Sequence, residues 1–64
     1  MHIEDSTLYI VRVYEGGESY DYEYLAYNHA EEHYKMEIEK GNKANLIAYH
    51  WDNIKMKRSY ELIC

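Results

Sequence analysis

Two adjacent glycines, Gly16 and Gly17, separate Leu8-Tyr9-Ile10-Val11-Arg12-Val13-Tyr14 from Ser19-Tyr20-Asp21-Tyr22-Glu23-Tyr24. The first segment is rich in β-branched and aromatic residues, and the second sets tyrosine at every other position, so both read as strands. Glycine reaches positive φ without steric cost, which a two-residue hairpin turn demands at its centre. With Gly16-Gly17 as that turn, Val13 faces Tyr20, Val11 faces Tyr22 and Tyr9 faces Tyr24, all on one side of the sheet. The reverse side pairs Arg12 with Asp21, Tyr14 with Ser19, Ile10 with Glu23 and Leu8 with Leu25. Opposite charges directly across the ladder support this register, since a slip of one residue would send every side chain to the wrong face.

A second hairpin is expected further along. Asn45-Leu46-Ile47-Ala48-Tyr49-His50-Trp51 leads into Asp52-Asn53, residue types that tolerate left-handed backbone, and Ile54 to Tyr60 runs back. A two-residue turn there pairs Trp51 with Ile54, Tyr49 with Met56, Ile47 with Arg58 and Asn45 with Tyr60. Between the hairpins, Asn28 is positioned to cap a helix over His29 to Lys40, with acids in its first turn and Gly41 at its end. Ala30, Tyr34 and Ile38 recur every four residues as its apolar stripe, while Glu32, Lys35 and Glu39 point away.

The element order is therefore ββαββ, an α+β fold. Strand two enters the helix and strand three leaves it, so a right-handed crossover makes them parallel, and placing strand one between them yields a four-stranded antiparallel sheet of order 2-1-3-4. One helix packs on one face. The expected core face carries Tyr9, Val11, Val13, Tyr20, Tyr22 and Tyr24 together with Ile47, Tyr49 and Trp51, joined by Tyr34. The alternative buries Leu8, Ile10, Leu25, Leu46 and Ala48 and exposes the aromatic side. A three-turn helix about 18 Å long cannot hide four strands spaced ~4.8 Å apart, so apolar area stays uncovered in either case. Leu8, Ile10, Leu46 and Ala48 form the expected open strip and the candidate dimer face.

The chain has 64 residues, with nine tyrosines, one tryptophan and no phenylalanine or proline. A single domain over 1–64, with residues 1–6 frayed, hides only about 60% of the surface its unfolded chain exposes, so self-association or a permanent partner is expected to support it. The single cysteine, Cys64, has no mate for an intrachain disulfide, which fits a reducing setting, and no stretch approaches the ~20 apolar residues of a membrane span. A cytoplasmic location follows as the expectation. The net charge of −5 is uneven: residues 1–34 hold eight acids against Arg12 alone, whereas residues 35–64 hold six bases against four acids. That asymmetry disfavours binding to phosphate and would orient the molecule toward a basic partner.

Chemical motifs are sparse. His29-Ala30-Glu31-Glu32-His33 spells the H-x-x-E-H pattern of a zinc peptidase helix. A catalytic zinc site needs a third protein ligand and a cleft, for which so small a chain has little room, so His29 and His33 are weak metal candidates. No serine, cysteine and histidine set has nucleophile spacing, and Gly16-Gly17 lacks the lysine of a phosphate loop. No cofactor is implied.

These observations point to a noncatalytic protein-interaction module. The expected form is a small acidic inhibitor of the bacteriophage type, mimicking the phosphate spacing of DNA to occupy a basic site on a nucleic-acid-processing or defence protein. Tyr14, Tyr27, Trp51 and Tyr60 would anchor it, with Asp21, Glu23, Glu31 and Glu32 supplying charge complementarity. The alternatives are a structural homodimer and a metal-binding protein using His29 and His33.

Overall fold

A computed structural model describes residues 6–64 of the chain. The elements are β1 (Ser6–Glu15), β2 (Glu18–Tyr24), α1 (Tyr27–Glu39), β3 (Lys43–Asp52) and β4 (Lys57–Leu62). The expected fraying of residues 1–6 falls, for 1–5, outside the described residues, while Ser6 opens β1. The strands form one antiparallel sheet in the order β2-β1-β3-β4, as the chain order implied.

The first hairpin has the register set by its turn. Gly16 and Gly17 take φ of 61° and 81°, and Val13 faces Tyr20, Val11 faces Tyr22 and Arg12 faces Asp21. Two successive left-handed residues match the twist of the strands, which is why this turn holds them in line. The ladder stops at Tyr9 and Tyr24, short of the expected Leu8–Leu25 pair, because the chain turns there toward the helix.

Helix α1 starts earlier than its capping signal suggested. Asn28 lies inside the helix, extended Ala26 occupies the cap position without a side-chain cap, and Glu31 and Glu32 fall beyond the first turn. The C-terminus ends as expected at Gly41, whose φ of 88° lets its N–H donate to the Ile38 carbonyl while the Asn42 N–H reaches back to Glu37. These two bonds satisfy carbonyls that the helix would otherwise leave open.

The β1–β3 ladder overturns the expected core face. Val11 lies opposite Leu46, Val13 opposite Ala44 and Tyr9 opposite Ala48, so Leu46 and Ala48 belong with the valines under the helix. Leu46 is fully buried and Ala48 nearly so, which removes both from the candidate dimer face. Ile47, Tyr49 and Trp51 consequently project from the opposite side. The physical reason is space: Ala30 on the helix is fully buried within the cluster of Val11, Val13, Ala44 and Leu46. Small alanines on both surfaces let helix and sheet approach closely, which Ile47 and Tyr49 in those places would prevent. Tyr9, Tyr24 and Tyr34 pack around this cluster, whereas Tyr20 and Tyr22, on the edge strand, stay exposed, Tyr22 with its ring edge-on to His33 of the helix.

The helix is also rotated from its expected stripe. Ala30 and Tyr34 face the sheet, yet Ile38 is 45% exposed and Glu37 takes the buried position beside it. The second hairpin departs further. Tyr49 faces Tyr60, Trp51 faces Arg58 and Ile47 faces Leu62, four residues beyond the expected partners along the returning strand. Asp52 explains the longer loop, since its Oδ1 accepts the backbone N–H groups of both Ile54 and Lys55, and Met56 then takes a φ of 53° before pairing resumes at Lys57. A short carboxylate that captures two N–H groups ahead of it favours a local turn over immediate chain reversal.

Strand β4 closes in a bulge: the N–H groups of Ile63 and Cys64 both donate to the Leu46 carbonyl, and the Leu46 N–H donates to Cys64. Helix α1 packs on β1, β2 and β3 but does not reach β4, whose residues on that side include the polar Ser59 and Glu61. Among the described residues, no helix is long and apolar enough to cross a membrane.

Candidate functional site

Among the described residues, no element covers the side of the sheet away from the helix. Alternation along the four ladders places Tyr14, Arg12, Ile10 and Leu8 of β1 there, with Asp21 and Glu23 of β2, Ile47, Tyr49 and Trp51 of β3, and Arg58, Tyr60 and Leu62 of β4. The centre is apolar. Ile10 is only 9% exposed because its neighbours close over it, while Tyr60 and Leu62 on the edge strand are 63% and 64% exposed. Tyr49 and Tyr60 sit directly opposite with ring centroids 5.1 Å apart at 58°, a tilted pair that stiffens the β3–β4 margin. At the turn end, the Trp51 indole N–H donates to the Asn53 side chain, which fixes the ring orientation.

Charge is distributed unevenly across this face. Asp21 accepts two parallel bonds from Arg12, Nε at 2.8 Å and the terminal nitrogen at 3.0 Å. The guanidinium bonds hold the Asp21 carboxyl below its usual range, and the carboxylate raises the Arg12 pKa in return. Lys43 places its ammonium 5.7 Å from the centre of the Tyr14 ring, a cation–π contact at the corner of the face. A shallow groove of about 440 Å³ crosses the sheet over Ile10 and Tyr60, with Asp21 and Glu23 on one side and Arg58 on the other. A second depression of about 470 Å³ adjoins it between Tyr14 and Leu62.

The structure unites five of the eight expected partner-binding residues, Tyr14, Asp21, Glu23, Trp51 and Tyr60, on this open face. Tyr27, Glu31 and Glu32 lie on the helix, on the other side of the sheet. Tyr27 packs edge-on against Tyr9 with centroids 5.5 Å apart and donates its hydroxyl to Glu31, which also faces Lys35 at 3.7 Å. That bond to a carboxylate acceptor raises the Tyr27 pKa. The four acids therefore do not form one row. Of the candidate dimer strip, Leu8 and Ile10 remain on the open face, and Ile47, Tyr49 and Leu62 replace Leu46 and Ala48. Periodicity alone could not find that replacement, because β3 alternates apolar residues on both its sides.

A polar network lies on the helix side. His33 uses both ring nitrogens, Nδ1 against the Tyr24 hydroxyl at 2.8 Å and Nε2 against Glu37 Oε2 at 2.9 Å. With a neutral ring, the hydroxyl donates to Nδ1 while the Nε2–H donates to the carboxylate. Asn42 completes the chain by donating to Glu37 Oε1 at 2.8 Å, and Lys40 stands 3.8 Å from the same carboxylate. Bonds from Asn42 and then His33 keep the Glu37 carboxyl below its usual range despite its burial. His33 is thus committed to Tyr24 and Glu37, while His29 lines an exposed groove of about 480 Å³ with Tyr22 and Met36. Among the described residues, no group of three or more metal-ligating side chains is arranged to hold an ion. The i,i+4 spacing of His33 and Glu37 was the sequence signal for this network, and the zinc-peptidase spelling obscured it.

The chain matches no family model, no curated protein and no solved structure.

Proposed function

We propose that this chain is a noncatalytic protein-interaction module that binds through the open face of its sheet. The supporting observation is the uncovered apolar centre formed by Leu8, Ile10, Ile47, Tyr49, Tyr60 and Leu62, flanked by charged side chains of both signs. Apolar, aromatic centres with polar rims are the anatomy of protein interfaces, and tyrosine, tryptophan and arginine are the residues enriched at their anchors. Asp21 is already neutralised by Arg12, and Glu31 and Glu32 lie on the opposite side. The reading therefore rests on the apolar face, with Glu23 and Asp21 as its acidic margin, and not on a DNA-like row of carboxylates.

Site-specific photocrosslinking in cells of the native host tests it. A benzophenone side chain replacing Tyr60 is expected to trap a protein, a second copy included, whereas the same group replacing Glu61, which faces the helix side, is expected to trap little. Equal trapping at both positions, or none at position 60, overturns the reading.

A further inference from the structure

Strand β2 forms one edge of the sheet, and among the described residues no element pairs with its outer side. Every residue of it except Tyr24 is exposed. Edge strands are ordinarily blunted by lysine, proline or a bulge. Strand β4 follows that rule, with Lys57 and Arg58 at its start and a bulge at its end. Strand β2 has neither lysine nor proline, and its ladder with β1 runs without a break from Tyr24 to Glu18.

The turn determines which backbone groups face outward. Glu15 and Glu18 close a two-residue hairpin turn and so form a bonded pair, and bonded pairs alternate with unbonded ones along an antiparallel ladder. Glu18, Tyr20, Tyr22 and Tyr24 therefore bond inward to β1, and Ser19, Asp21 and Glu23 turn their N–H and C=O groups toward solvent. The side chains of Asp21 and Glu23 lie on the open side of the sheet, whereas Tyr22 lies on the helix side, beside the groove that it lines with Met36 and His29.

We infer that this edge takes up an extended segment of another protein as an added antiparallel strand, and that the segment alternates basic with β-branched apolar residues. Residues of the added strand opposite Asp21 and Glu23 would exchange backbone bonds with them and project on the same side of the sheet. A basic residue fits there. Asp21 is already bonded to Arg12, but Glu23 faces the apolar Ile10 and has no cation across the ladder, so it supplies the stronger attraction. The residue between them comes opposite Tyr22 on the helix side, where the exposed Tyr22 and Met36 side chains present apolar surface along the groove. A β-branched apolar side chain fits that position. A second copy of the chain is disfavoured at this edge. Antiparallel pairing of β2 with itself sets Asp21 against Asp21 if centred on Asp21, or Asp21 against Glu23 if centred on Tyr22, like charge on like.

Two-dimensional NMR titration of the purified full chain tests the inference, with a short synthetic peptide of alternating arginine and valine, blocked at both ends, as the probe. Saturable binding is expected, with the amide hydrogens of Ser19, Asp21 and Glu23 gaining protection from exchange. Methylating the arginine backbone nitrogens keeps the peptide's charge but removes the donors aimed at β2, and is expected to weaken binding about tenfold or more. Methylating the valine nitrogens, which face away, is expected to leave it unchanged. Glu23→Lys is expected to weaken binding by a similar factor in a chain whose circular dichroism is unaltered. Absence of binding at millimolar peptide overturns the inference. So does binding indifferent to which nitrogens are methylated, which would mark a diffuse charge contact, and so do shift changes centred on Ile47, Tyr49 and Leu62, which would place the peptide on the open face. Position 60, probed by crosslinking, belongs to the opposite edge strand, so the two readings stand or fall separately.

Discussion

Val11 and Leu46 face each other across the central strands β1 and β3, and both are fully buried. This pair sits beneath Ala30 of the helix and decides which half of β3 is core. Its neighbours one residue away, Ile10 and Ile47, form the centre of the opposite surface. A single pair thus sets which side of the sheet is buried under the helix and which side stays open.

Leu46→Ala is accordingly expected to destabilise the domain by about 2–5 kcal/mol, the cost of emptying a closely packed site. Leu62→Ala, on the open face, is expected to change monomer stability by no more than about 0.5 kcal/mol. Urea denaturation of both variants at low protein concentration checks the contrast. Equal losses would show that the helix covers neither side in preference.

Glu37 makes stability depend on acid in a defined direction. Its folded pKa lies below the unfolded value of about 4.3, so its contribution is complete above that value and disappears as pH falls through the folded pKa. Asp21 contributes in the same direction, reduced by solvent because its ion pair with Arg12 is exposed. Thermal melts from pH 7 to pH 3 are expected to show a declining midpoint below about pH 4.5. Glu37→Gln is expected to flatten that decline, and an unchanged slope would remove Glu37 as its source.

Gly41 ends the helix in left-handed backbone, and a Cβ there would meet no neighbouring atom within 4 Å. Only the backbone penalty is then at issue, so Gly41→Ala is expected to cost about 1–2 kcal/mol. Gly41→Asn is expected to cost less, because asparagine tolerates this region. Chemical denaturation of the two variants measures the difference.

Much of the architecture was legible before any coordinates. The Gly16-Gly17 turn encodes the register from Val13–Tyr20 to Tyr9–Tyr24, because turn and ladder are contiguous and the Arg12–Asp21 pair agrees with them. Gly41 likewise marks the helix end, since its signal acts within a few residues. Where local signals compete, the reading failed. Asp52-Asn53 resembles a two-residue turn, yet the Asp52 carboxylate draws the N–H groups of Ile54 and Lys55 into a longer loop and moves Tyr60 from Asn45 to Tyr49. Of the candidate site, Tyr14, Asp21, Glu23, Trp51 and Tyr60 were found together, while Tyr27, Glu31 and Glu32 were separated by the sheet itself.

The sequence by itself determined the ββαββ order, the strand arrangement and the first hairpin, because each depends on contacts close along the chain or on the handedness of one crossover. The phase of β3 against β1 was decided only in three dimensions. No turn joins those strands, and β3 is apolar on both sides, with Leu46 and Ala48 on one and Ile47 and Tyr49 on the other. Alternation therefore permits two solutions that differ by one residue. Close packing against Ala30 selects the small side chains for the core and leaves the large ones for the open face.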